Sequence, residues 1–217
     1  MTNKETLIFV EGPSDRLFLG VYLFYLYFQE KFPIKNFKVQ NVDGKNNLSK
    51  RLLEIEKYDK TLIIFDADKN YESNKKEILK VVSKTKQTIS EEQIFLFPNN
   101  QDDGDLETLL LKITNHKEFI NCFEGYLDCI KKTEHYKPIK NIRKNKWYAY
   151  LEALGLEYLY TKKNIFDNIG GKIKEKYKED YEKLKKAIKF ESELLNPLKN
   201  FLEQFAENNQ KTNPKIF

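Results

Sequence analysis

Three carboxylates stand at the ends of apolar, β-type runs: Glu11 closes "TLIFVE" (6–11), and Asp66 and Asp68 close "TLIIFDAD" (61–68). Acidic side chains are costly beside buried strands unless something neutralises them. In a parallel sheet all carboxyl ends lie along one edge, so the three are expected to meet in the crevice where open α/β sheets bind ligands. Alternation along a strand points residues 66 and 68 the same way. Carboxylate oxygens clustered in this manner suit a hard divalent cation, Mg²⁺ or Mn²⁺. A lone DxD at a strand end is equally a turn and helix cap; Glu11 at the end of an earlier strand shifts the balance toward a metal site.

The elements that must carry these residues are legible in the apolar pattern. Residues 6–100 alternate short β-branched or aromatic runs with helical stretches, the signature of βαβ units. Strands are expected at 6–11, 37–42, 61–66 and 93–98, with helices beginning near Pro13, Asn47 and Glu72. Unbroken apolar runs such as "LIIF" and "IFLF" argue for strands covered on both faces. The fold class is therefore α/β, a doubly wound and mostly parallel four-stranded sheet flanked by helices. After the turn-rich "NNQDDGD" the chain reads as helix, at 105–113, 116–133, 145–154, 172–189 and 192–207, broken near Pro138, Gly155, Gly170, Gly171 and Pro197. Residues 1–104 form the α/β domain, and 105–217 a helical extension packed on it.

Composition limits what the chain can be. Its 217 residues, 40% hydrophobic and 33% charged with 16 Phe and 13 Tyr, describe a folded protein with a real core. The longest uncharged apolar run, Leu17 to Phe28, covers 12 residues and falls short of the ~20 that cross a bilayer. It reads as an aromatic-rich core helix. Cys122 and Cys129 are too far apart along one helix for a disulfide, and no secretion signal is visible, so a cytoplasmic location is expected. Charge is uneven: residues 131–189 hold 17 Lys and Arg against 8 Asp and Glu, a surplus of nine within a whole-chain +5, which leaves −4 elsewhere. A basic half beside an acidic one fits a polyanion held near metal ligands, although solvated lysine-rich helices are the commoner cause.

"LIFVEGPSD" followed by "LIIFDADKN" resembles the TOPRIM domain of topoisomerases, bacterial primases, recombination factors and OLD-type nucleases. "VQNVDGKNNLSKRL" (39–52) resembles that family's second strand, turn and helix, and the likeness covers roughly residues 6–100. "GDLETLLL" (104–111) and "ELLNPLKNFLEQF" (193–205) are similar to segments of small stand-alone TOPRIM-like proteins related to OLD-type nucleases. Neither a primase zinc module nor a topoisomerase tyrosine context is present.

The resemblance implies a metal-dependent phosphodiester hydrolase acting on DNA or RNA, with a role in defence or repair. It makes Glu11 a metal ligand or the general acid/base, Asp66 and Asp68 ligands, and Glu107 a carboxylate that would admit a second ion. Gly12 would let phosphate approach the backbone; Asp15 is a ligand, or a supporting carboxylate favoured by the helix dipole. Lys45 would contact phosphate, and Lys172 would supply the transition-state cation, although in so lysine-rich a chain both are more often solvated. Asn70 is either a ligand or a turn residue. Of Asp102, Asp103 and Asp105, at least some are ordinary loop or capping residues. "RKNKWYAY" (143–150) interleaves bases with aromatics as single-strand binders do, but Trp147 and Tyr150 suit a core equally. His116 and His135 lack ligand spacing.

The alternative is a non-catalytic module of the same fold, binding nucleic acid and working with an ATPase. The chain has no phosphate-binding GxxxxGK[ST] loop, so that ATPase would be a separate partner. A DxD phosphatase is a third class, set back by Glu11 standing where its nucleophilic aspartate would be.

Overall fold

The computed structural model describes residues 5–28, 37–160 and 174–205. Strand β1 (Thr6–Val10) leads into the long helix α1 (Pro13–Phe28), then β2 (Phe37–Asn41), a 3₁₀ segment over Lys45–Arg51 and the short α2 (Leu52–Ile55). β3 (Lys60–Asp66), α3 (Tyr71–Val82) and β4 (Ile94–Phe97) complete the sheet. The helices that follow are α4 (Leu106–Leu110), α5 (Lys117–Ile130), α6 (Ile142–Ala153), α7 (Lys178–Ala187) and α8 (Asn196–Gln204). The expected α/β class, with four strands and a helical C-terminal part, is what the chain adopts.

All strand pairs are parallel, in the order β2-β1-β3-β4. Alternation along each strand divides the core in two. Ile8, Val10, Leu62, Ile64, Phe95 and Phe97 face the layer built from α1 and the later helices. Leu7, Phe9, Ile63, Phe65, Ile94 and Leu96 face the layer with Leu48, Ile55, Ile78 and Val82. This two-sided burial is why the strand sequences show no polar alternation.

α1 is covered almost all round. Leu17, Leu19, Val21, Tyr22, Leu23 and Leu26 are buried, and the rings of Phe18, Tyr22 and Phe190 stack at centroid separations of 5.9–6.4 Å. That accounts for the apolar run from Leu17 to Leu26, and among the described residues no helix is long and apolar enough to cross a membrane.

The later helices share the sheet's own core. Leu109, Trp147, Tyr150, Leu184 and Phe201 belong to the same buried cluster as Ile8 and Phe95. Tyr150 ties two of them together by donating its hydroxyl to the Ala187 carbonyl at 2.6 Å. The outer edge of β4 is closed locally: Leu96 donates its N–H to Asn100 Oδ1 (3.0 Å) and accepts from the Asn100 N–H (2.7 Å). One end of the sheet is thus blunted against strand addition.

Candidate functional site

The strand order makes the site. From β1 the chain turns outward to β2, and from β3 it turns the other way to β4, so the topology switches between β1 and β3. Ligand crevices of open α/β sheets lie at such a point, beyond the strands' carboxyl ends. Glu11 follows β1 directly and Asp66 is the last residue of β3. The Asp66 N–H points at Glu11 Oε2 over a long 3.5 Å.

Behind Glu11, Gly12 donates its N–H to Asp15 Oδ2 at 2.9 Å, so Asp15 in the first turn of α1 reaches back to the residue before the helix. This is the return half of a capping box. A Cβ on Gly12 would lie 3.3 Å from that oxygen, a tight contact that Asp15 would have to yield to. Asp15 is only 6% exposed.

Beyond β3, alternation does not continue to residue 68. Ala67 still donates to the Phe97 carbonyl (3.0 Å), but Asp68 turns to the left-handed region at φ 52° and donates its N–H to Gly104 O at 2.7 Å. Asp66 and Asp68 therefore meet different partners. Asp66 Oδ1 accepts the Leu106 N–H at 2.8 Å, while the exposed Asp68 carboxylate pairs with the Lys45 ammonium at 2.8 Å. Lys45 also donates to Asn74 Oδ1 at 2.7 Å, and Asn74 donates in turn to the Ala67 carbonyl.

The segment 104–107 touches the site at each residue. Gly104, at φ 143°, packs where a Cβ would meet Pro98 and Thr108 at 3.1 Å, and its carbonyl holds Asp68. Asp105 caps α4, accepting from Thr108 N (2.8 Å) and Thr108 Oγ1 (2.6 Å). Arg143 of α6 grips the same carboxylate through Nε (3.0 and 2.9 Å) and Nη2 (2.7 Å). Leu106 supplies the N–H to Asp66, and Glu107 is buried behind it.

Four carboxyls here are raised, each chiefly by burial. Burial pushes Asp15 up to about 7, helped by the charges of Glu107 and Glu11. Burial also lifts Asp66 well above the usual range, with Asp15, Glu11 and Glu107 adding repulsion. Glu11 is raised by burial and by Asp68. Glu107 is raised by burial and by Asp105, against the opposing pull of Lys144 and Arg143. The ammonium of Lys45 is partly desolvated, yet its bond to Asp68 holds its pKa above the ordinary value. Among the described residues, no three His, Cys, Asp or Glu side chains are grouped so as to hold a metal ion. The hydrogen bonds to Gly12, Leu106 and Lys45 keep the carboxylates on separate partners.

Residues 5–207 match the family described as Protein of unknown function, DUF3226. The chain belongs to that family. No curated protein and no solved structure matches it.

Within this DUF3226 chain, the remaining sequence candidates fall into place individually. Asn70 is the N-cap of α3, accepting from Ser73 N at 2.8 Å. Asp103 accepts from Tyr71 N and Asp102 from Asn99 Nδ2, both at 2.8 Å, so these two loop aspartates are turn partners. Trp147 and Tyr150 are core, at 1% and 2% exposure. His116 pairs with Glu118, and both cysteines are exposed free thiols on α5. Lys172, Gly170 and Gly171 lie outside the described residues.

Sequence reasoning passed over Asn74 and took Arg143 and Lys144 only as bases of an aromatic-interleaved run; Arg143 instead grips Asp105, and the Lys144 ammonium lies 5.8 Å from the Tyr148 ring centroid. Local spacing holds no signal for a pair such as Arg143 and Asp105, 38 positions apart.

Proposed function

We propose that this chain is a divalent-metal-dependent phosphodiester hydrolase, a nuclease of TOPRIM type acting on DNA or RNA in cytoplasmic defence or repair. The observation that carries this reading is that Glu11 and Asp66 end the two strands flanking the β1/β3 switch point, with the Asp66 N–H directed at Glu11 Oε2 and the buried Asp15 and Asp66 carboxyls raised by the charges of Glu11 and Glu107.

The residues fit Mg²⁺ or Mn²⁺ by donor type, since all are hard oxygen ligands whose burial and mutual repulsion a cation would relieve. Such an ion, when bound, supplies charge to a phosphate oxygen and to the oxygen that leaves. Asp66, Asp68 and Glu11 would hold it, with Glu107 and Asp15 beneath them. For Asp68 this requires release from Lys45, and Lys45, once free, is a point charge for the phosphate backbone. Glu11, half-buried and with its pKa raised, is suited to take or return a proton at the attacking or leaving oxygen.

The test is plasmid nicking and single-strand digestion with Mg²⁺ or Mn²⁺. Wild type should cut, and Glu11→Gln and Asp66→Asn should each lose roughly a hundredfold or more of the rate. Cleavage that survives both substitutions overturns the assignment.

One observation favours a second reading. Lys45 already neutralises Asp68, and no acidic triad is gathered among the described residues. A non-catalytic module of the same fold, binding nucleic acid beside a separate ATPase, would look like this. Binding of oligonucleotide without metal-stimulated cutting, together with co-purification of an ATPase, would favour it.

A further inference from the structure

We infer that Arg143 is a positioning residue for the acidic site, acting through Asp105. This rests on the hydrolase reading above and adds to it a role for the helical extension. The guanidinium binds the Asp105 carboxylate with both Nε and Nη2, at 2.7–3.0 Å, in a bidentate geometry that fixes orientation as well as distance. Asp105 in turn organises the first turn of α4 by capping Thr108.

Three residues beside Asp105 meet a site carboxylate or its backbone. Gly104 O receives the Asp68 N–H (2.7 Å), Leu106 N–H reaches Asp66 Oδ1 (2.8 Å), and Glu107 is buried beside Asp15. A shift of this turn therefore moves both sides of the crevice together. α4 is a five-residue helix, too short to hold its own first turn firmly. A polar anchor comes from α6, whose place is set by the buried Trp147, Tyr150 and Leu151 four to eight residues beyond Arg143. The leucines of α4 share the core with Trp147 and Tyr150, and the ion pair adds a directional link from that layer to the turn that meets the strand-end carboxylates.

Two substitutions separate positioning from charge. Lysine keeps the cation but cannot form the planar fork. In single-turnover and steady-state cleavage with Mn²⁺, Arg143→Ala should lower kcat roughly tenfold with KM unchanged, as losses behind a metal site commonly do. Arg143→Lys should recover little of that loss. Melting temperatures of both should stay near wild type, because the Arg143 side chain is 53% exposed. A raised KM with kcat retained, or full rescue by lysine, would overturn the inference in favour of direct contact with the polyanion. If wild type does not cut at all, the hydrolase reading fails separately. Positioning is then read from amide hydrogen exchange at Leu106 and Thr108, which Arg143→Ala should accelerate at least tenfold; unchanged exchange there would end it.

Discussion

Lys45 and Asp68 form an ion pair across the mouth of the crevice, with Nζ and Oδ2 2.8 Å apart, although 23 residues of chain separate them. The pair is partly solvated, at 28% and 47% side-chain exposure, so its own contribution to stability is modest, under about 1 kcal/mol. Its importance is positional: the cation stands against the one site carboxylate that faces solvent.

Lys45→Met should therefore leave the denaturation midpoint nearly unchanged while weakening binding to a single-stranded oligonucleotide. In fluorescence anisotropy across a salt series, the log–log slope should fall by about one phosphate contact. An unchanged slope would return Lys45 to a purely structural role on Asp68 and Asn74.

Asp15 gives a stability effect with a defined sign. Its folded pKa of about 7 lies above the ordinary 3.8, so the folded state prefers the protonated carboxyl. Its contribution is fully present below about pH 4 and is lost as pH rises toward 7, by linkage. Asp15→Asn keeps an oxygen for the Gly12 N–H and removes the charge facing Glu11, Asp66 and Glu107. The variant should melt several degrees above wild type at pH 7.5, and the gap should close toward pH 4.5. A gap independent of pH would contradict the buried charge.

Millimolar Mn²⁺ should raise the melting temperature of wild type at pH 7.5 by relieving the same repulsion, since a ligand that binds only the folded state stabilises it. The rise should largely disappear in Asp66→Asn. Equal rises in both proteins would place the ion elsewhere.

Two glycines should respond in opposite directions. Gly104→Ala must place a Cβ 3.1 Å from Pro98 and Thr108 at φ 143°, and is expected to cost about 1–3 kcal/mol in urea unfolding. Gly125→Ala, in α5 with nothing within 4 Å, should stabilise by about 0.5–1 kcal/mol.

The single tryptophan offers a check on the nucleic-acid reading. Trp147 stacks on Tyr150 at 5.5 Å and is buried, so its emission should be blue-shifted, resist acrylamide and ignore added oligonucleotide. Trp147→Ala should destabilise by about 3–5 kcal/mol. Strong quenching by nucleic acid would restore it as a stacking platform.

The strands, the first helix and the strand-end positions of Glu11 and Asp66 were legible in the chain because they depend on local pattern. A buried parallel strand must be continuously apolar, and a charge at its end is visible against that background. Pro13 opening α1, with Asp15 in its first turn, follows from chemistry within a turn, whereas the capping of α3 by Asn70 is settled only by its bond to Ser73 N. The equal orientation expected for Asp66 and Asp68 did not hold, because alternation needs extended backbone and the pairing of Asp68 with Gly104 turns the chain left-handed one residue past Ala67.

The linear pattern set the layers: which runs are strands, which faces are apolar, and that acidic residues would sit on one edge of the sheet. Which of them lie near one another and which are taken by a cation emerges from the folded chain, since those outcomes turn on distances between residues far apart in sequence. Arg143 on Asp105, Lys45 on Asp68 and the Leu106 amide on Asp66 each close a loop of 23 to 40 residues. No period of 2 or 3.6 encodes such contacts; α4 and α6 packed on the sheet bring the Leu106 amide and Arg143 to their partners, and the segment after β2 brings Lys45 to Asp68.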